Sequence, residues 1–241
     1  MRSPPDPCYY WGLGRVALSV GKAHSGGAPA EAAIAPAPRR SADRAALRQR
    51  GALGTATTKR AAVLTAEQIA QLLEVGTPRD RALLALMTAG ALRVGEATLL
   101  AWDDVSPDGV VTIPGGITKT RQGRSFTLPA TAAEHLHAWR ELCPSTLAGW
   151  LFPGTPISQP LSIRGAQTLI ARLAARCGLR GVSSHSFRRS ALTAAHGAGL
   201  SLREVAEISG HQSLAALEKY LDRGAAREKA EAARGLLLRA A

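Results

Sequence analysis

Tyr220 stands nine positions after His211, and apart from Tyr9 and Tyr10 it is the only tyrosine in the 241 residues. A phenol with a pKa of about 10 is ionised to roughly one part in a thousand at neutral pH. To act as a nucleophile it needs a proton acceptor, and an electrophile made more reactive by positive charge. The sequence supplies candidates for both. In "HSFRR", His185 and Arg188 are three residues apart, on one face of a helix. His211 follows Gly210, a residue suited to ending a helix, from which a side chain can point into a cleft. Upstream, "ALRVGEATLL" sets Arg93 and Glu96 at i, i+3, where the carboxylate can orient the guanidinium. Lys119 is the only lysine between Lys59 and Lys219, in a chain with five lysines and twenty-five arginines. An ammonium can give up its proton where a guanidinium cannot, so lysine is the type a general acid requires.

Each of these residues singly has an ordinary structural explanation. Arg93 could simply pair with Glu96, Lys119 could be solvated on a hairpin, His185 and His211 could be satisfied structural histidines, and Tyr220 could pack against Leu217 and Leu221. Trp102, Trp139 and Trp150 read as core. His135 and His137 lack a third ligand, so no metal site is assigned to them.

The elements that must position these residues are readable from about Leu64 onward. Thr65 and Gln68 form a capping box ahead of Ile69, Leu72 and Leu73 at helical spacing. Thr77-Pro78 with Asp80 opens a second helix carrying Leu83, Leu84 and Leu86. "GVVTIPGGITKTRQGRSFTLP" has short β-branched runs broken by Gly and Pro, which predict a small antiparallel sheet with a turn near Gln122-Gly123. Helical patterns follow at about 131–142, 162–177, 185–197, 202–209, 214–222 and from Ala225. Ser201 and Glu204 make another capping box, and Gly210 suits a helix C-terminus. The expected fold class is mainly α with a small antiparallel β-sheet (α+β). Before Leu64, "HSGGAPAEAAIAPAPRR" reads as a linker, between short helices at Val16–His24 and Ala42–Arg50.

Thirty Lys+Arg against eighteen Asp+Glu leave a formal charge of +12, which favours a polyanionic partner, most simply nucleic acid. An anionic membrane surface ranks lower, because the charges are scattered rather than gathered on one amphipathic helix. Cys8, Cys143 and Cys177 show no CxxC spacing and read as reduced thiols of a cytosolic protein. The apolar run near Ala82–Leu92 is too short to span a bilayer. "MRSPPDPCYYWGLG" places prolines where a signal peptide would have an apolar core, so a cytoplasmic location is expected.

Taken in order, Arg93 with Glu96, Lys119, His185 with Arg188, Gly210-His211 and Tyr220 resemble the catalytic domain of the tyrosine recombinases, or phage-type integrases. The family pattern is an Arg in an "LRxxE" segment, a Lys in a β-hairpin, HxxR, GH, and a Tyr nine residues later. The resemblance covers about residues 60–225. It implies site-specific DNA recombination or integration without metal or ATP: Tyr220 attacks a backbone phosphate, leaving a 3′-phosphotyrosyl link and a free 5′-hydroxyl. It further implies that Arg93 and Arg188 hold the non-bridging oxygens and that Lys119 protonates the departing 5′-oxygen. By the same resemblance His185 accepts or relays the tyrosine proton, His211 hydrogen-bonds the phosphate, and Glu96 supports Arg93. The implied partner is double-stranded DNA, bound by a homotetramer whose tyrosines are coupled through a last helix, here "GAAREKAEAARGLLLRA" with Leu236–Leu238.

Two other readings compete with this one. "SLREVAEISGHQSLAALEKYL" also has the form of a helix-turn-helix, which would make the chain a non-catalytic DNA-binding protein. A nicking-closing topoisomerase would share the chemistry without a specific partner site. Family members usually carry a helical core-binding domain ahead of the catalytic one. Here 1–60 is expected to be a truncated or poorly ordered remnant of it, with 61–241 the catalytic domain and its C-terminal exchange helix, so that an inactive integrase remnant is a further alternative. Arg189 stands where the family often has His.

Overall fold

The computed structural model describes residues 61–143, 149–218 and 221. The expected helices at Val16–His24 and Ala42–Arg50, the remnant assigned to 1–60, the last helix with Leu236–Leu238, and Tyr220 itself lie outside the described residues. Among the described residues the order is α1 (Ala66–Val75), α2 (Pro78–Ala89), α3 (Val94–Thr98), β1 (Val110–Ile113), β2 (Arg124–Thr127), α4 (Ala130–Leu142), α5 (Ile163–Arg176), α6 (Ser184–Gly197), α7 (Leu202–Ser209) and α8 (Leu214–Glu218). This is the mainly helical α+β class expected.

The helix starts follow from their caps. Thr65 accepts from the Gln68 amide while Gln68 accepts from that of Thr65, and Thr77 with Asp80 repeats the exchange at α2. Each exchange satisfies two donors that the first turn leaves without partners. Ser201 and Glu204 do the same at α7. Helix α2 is buried from Ala82 through Met87, the all-round apolar pattern of a central helix, and packs against α4 and α6. Truncating a side chain such as Leu83 to Ala would cost about 2–5 kcal/mol.

Among the described residues two apolar clusters result. The larger joins α2, the sheet, α4 and α5 and includes Leu92, Val111, Ile113, Phe152 and Phe187; the smaller joins Ala91, Leu192, Val205, Ala206, Leu217 and Leu221. Trp150 is buried in the larger cluster, with Trp102 and Trp139 packed against it. The boundary between the clusters runs through the end of α2, between Ala91 and Leu92. There the Leu92 amide donates to Met87 O and the Ala91 amide to Thr88 O, which places Ala91 in the left-handed region at φ 45°. Glycine usually takes that position, yet here it stands one residue earlier. A Cβ on Gly90 would lie 2.4 Å from the Phe126 ring, so the steric need at 90 is met by glycine and the conformational need at 91 falls on alanine.

The sheet is a two-stranded antiparallel ribbon pairing Val110 with Thr127 through Ile113 with Arg124. The turn expected near Gln122-Gly123 is the end of a longer connection. This connection runs from Pro114 to Gly123, begins with a 3₁₀ turn at Gly115–Ile117, and buries Ile117 and Thr118. The Thr118 hydroxyl is 3.0 Å from both Gly115 O and Gln122 O, and a Cβ on Gly115 would come within 2.6 Å of Arg121 O. The loop is folded onto itself, which a two-residue turn could not provide. No helix among the described residues is long and apolar enough to cross a membrane.

Candidate active site

Arg188 is wholly buried, an arrangement that requires partners for its guanidinium. Its Nη1 donates to Ala91 O at 2.5 Å and its Nη2 to Ser209 O at 2.7 Å. These carbonyls belong to the turns that end α2 and α7. The second turn repeats the geometry of the first: the His211 amide donates to Ala206 O, the Gly210 amide to Glu207 O, and Gly210 is left-handed at φ 66°. One buried cation therefore ties together two helix ends, and each turn leads directly into a predicted site residue, Arg93 after the first and His211 after the second.

Arg93 occupies the N-cap position of α3. Its amide donates to Glu96 Oε2 at 3.0 Å and its Nη1 to Glu96 Oε1 at 2.8 Å. Glu96 is buried, and its Oε2 also accepts from Arg124 Nη2 at 2.7 Å. Burial pushes the Glu96 carboxyl upward, but the hydrogen bond and charge of Arg124, with those of Arg93, outweigh it and hold the group below its ordinary value. The carboxylate is thus kept charged and aims Arg93.

His211 lies 3.5 Å from Arg188 through Nε2 and 2.6 Å from Ser209 Oγ through Nδ1. Ser209 Oγ in turn is 3.1 Å from Ala206 O. Because a guanidinium only donates, the consistent assignment has Nε2 accepting, Nδ1–H donating to Ser209 and the hydroxyl donating to the carbonyl. A neutral ring suits this chain. Burial, followed by the charges of Arg188, Arg93 and Arg124, lowers the His211 pKa to about 4, against a smaller opposing effect of Glu96. His185, on the solvent side of α6, is also lowered, by partial desolvation and then by Arg188 and Arg93. Both imidazoles are neutral at physiological pH and able to accept protons.

Of the residues singled out from sequence, Arg93, Glu96, Arg188 and His211 are brought together, and His185 lies within the field of both arginines. Lys119 is on the sheet connection, exposed, with no hydrogen bond or ion pair to the cluster among the described residues. Tyr220 lies outside the described residues; Leu217 and Leu221, which flank it in sequence, are buried in the smaller cluster. Sequence reasoning missed Arg124 and Ser209. A basic residue opening a strand opposite apolar Ile113 was the only signal for Arg124, and it is a weak one. Arg189 acts structurally: it is buried and donates to Ala61 O, while Ser190 Oγ accepts from the Leu64 amide, fixing the segment that enters the domain.

The ensemble offers guanidiniums, neutral imidazoles and one charged carboxylate in a form that suits a tetrahedral anion. Residues 62–227 match the pattern of the phage integrase family. The chain belongs to that family. It is 29% identical over 175 residues to a tyrosine recombinase XerC of Syntrophus aciditrophicus, covering 66% of this chain and 56% of that protein. The fold resembles that of the XerA recombinase crystal structure with a TM-score of 0.63 at 21% identity, over 72% of this chain and 65% of that one. It also resembles the XerH site-specific recombinase bound to a palindromic difH substrate, in a post-cleavage complex, with a TM-score of 0.56 at 26% identity, over 70% of this chain and 52% of that one. The chain spans about half the length of the curated relatives it matches.

Proposed function

We propose that this integrase-family chain is a tyrosine-type site-specific recombinase that cuts and rejoins double-stranded DNA, with residues 61–241 as its catalytic part. The observation that carries the proposal is the buried Arg188, fixed between two helix ends beside Arg93, Glu96 and His211. A helix-turn-helix binding module has no need of such a cluster. In the proposed reaction the Tyr220 oxygen attacks a backbone phosphorus, and its proton passes to neutral His185. Arg93 and Arg188 bind the non-bridging oxygens, whose charge grows in the transition state. His211 faces the same phosphate; the incoming anion raises its proton affinity and favours a proton on Nε2, which can then donate to that oxygen. Lys119, carried in on the sheet connection, gives its proton to the departing 5′-oxygen. The 3′-phosphotyrosyl bond retains the energy of the broken link, so another 5′-hydroxyl can displace the tyrosine and reseal the strand. On DNA the chain would assemble as a homotetramer, and its substrate implies a cytoplasmic location.

The test uses a randomised pool of nicked duplexes, in which cleavage beside the nick releases a short 5′-hydroxyl fragment and traps the covalent adduct. Sequencing the captured duplexes defines a single substrate. The reading requires an adduct that forms in the presence of a metal chelator and is lost in Tyr220→Phe while DNA binding persists. An adduct unaffected by Tyr220→Phe would refute the assignment of the nucleophile.

A further inference from the structure

Arg124 belongs to none of the motifs that carry the proposed chemistry, yet it lies at their centre. It is the first residue of β2, paired with Ile113, and its side chain is only 13% exposed. Its Nη2 takes the Glu96 oxygen that also receives the Arg93 amide, while Arg93 Nη1 holds the other oxygen. Its guanidinium runs beneath the turn that presents His211, since a Cβ on Gly210 would lie 3.5 Å from Arg124 Nη1. Its buried Nε has no hydrogen-bond partner among the described residues, where the ion pair with Glu96 is its principal anchor. Burying a guanidinium at the mouth of a strand is costly without a specific use.

We propose that Arg124 is a positioning residue for DNA cleavage: by clamping the second oxygen of Glu96 from the sheet side, it fixes the carboxylate that aims Arg93 at the phosphate. The inference rests on the recombinase reading above. Without Arg124, Glu96 would keep only Arg93 and its own helix end, and could rotate away or take up a proton. The charged and titratable groups around Glu96 are Arg93 at the start of α3, Arg124 on β2, His211 on the α7–α8 turn, and Arg188 and His185 on α6, which act on His211 and on one another. Removing one cation from this set weakens the force that keeps Glu96 ionised, because Arg124 provides the largest of the effects lowering its proton affinity.

The experiment measures single-turnover adduct formation by the full chain on the captured substrate, for wild type, Arg124→Gln, Arg124→Lys, Glu96→Gln and the double variant Glu96→Gln/Arg124→Gln, between pH 5 and 8. Arg124→Gln is expected to slow cleavage about 10- to 100-fold with DNA affinity within about threefold, and to move the acid limb of the profile to higher pH. Arg124→Lys should recover part of the rate and restore the limb, and in the Glu96→Gln background the Arg124→Gln loss should largely disappear. Wild-type cleavage by Arg124→Gln, an undiminished loss in the Glu96→Gln background, or weakened binding with unchanged cleavage of bound DNA would each overturn the proposal. In parallel, urea denaturation of the same variants without DNA should show the stability loss of Arg124→Gln largest toward neutral pH, where Glu96 is ionised, and shrinking at the acid end as Glu96 takes up a proton, with the difference gone when Glu96 is Gln. A wild type that forms no adduct would defeat the recombinase reading and the catalytic part of this inference together. A denaturation cycle with no coupling would defeat the clamp alone.

Discussion

Arg188 and Lys119 are both cations assigned to the same reaction, and their surroundings are opposite. Arg188 is fully buried and bonded to the carbonyls that close α2 and α7; Lys119 is exposed on a loop that buries its neighbours Ile117 and Thr118. The difference matches what each must do. Holding a phosphate in one orientation calls for a donor set before DNA arrives, since preorganised charge needs no rearrangement during reaction. A general acid must instead surrender its proton and regain it from water, which a buried ammonium in a cluster of guanidiniums does poorly. In the proposed reaction the anchoring half of the site would thus be part of the folded core, and the proton-donating half an attachment to it.

This contrast can be broken most forcefully at Arg188. Arg188→Met would leave two buried carbonyls unsatisfied, so unfolding in urea should show a loss on the order of 2–5 kcal/mol. Adduct formation should fall by at least about 10²–10³. Lys119→Ala should reduce cleavage by a similar factor, about 10²–10⁴, while its urea midpoint stays within about 0.5 kcal/mol of wild type. A large stability loss in Lys119→Ala would erase the distinction. Gly90→Ala tests the geometry beneath the anchor, because the new Cβ would meet the Phe126 ring at 2.4 Å. It should lower stability by about 1–3 kcal/mol and slow cleavage through displacement of the Ala91 turn.

The smallest effect is a pH dependence. The folded-state pKa of His211 is lowered to about 4, and that of His185 is lowered as well. An unfolded histidine, at about 6.5, takes up a proton in the window where the folded His211 does not. Stability should therefore rise with pH between about 4 and 6.5, and His211→Gln should flatten that rise. NMR titration of the His211 ring should give a midpoint near 4; a midpoint above 6 would remove the neutral imidazole from the account.

Much of this architecture is legible in the residues themselves. Thr65-Gln68, Thr77-Asp80 and Ser201-Glu204 announce their helix starts because capping is local chemistry, and Gly210 announces an end for the same reason. The candidate site residues were also legible, by type and order. What could not be read was which of them are buried. That Arg188 lies under two turns depends on α6 packing against α2 and α7, a matter of tertiary contact. Arg124 was missed because its role exists only once β2 is in register with β1 and faces Glu96 across the sheet edge. The folding of the loop from Pro114 to Gly123 onto itself could not be read, since nothing local signals that Thr118 would bond back to Gly115 and Gln122.

The central claim, an anchoring cluster separate from a mobile-proton donor, is tested most directly by changing the leaving group. A 5′-bridging phosphorothiolate substrate expels a thiolate, which departs without a general acid. Lys119→Ala should cleave it within about tenfold of wild type while remaining about 10²–10⁴ slower on the ordinary phosphodiester, and Arg188→Lys should stay impaired on both. If Lys119→Ala is equally slow on both substrates, Lys119 is not the proton donor and the division of the site into two halves is wrong.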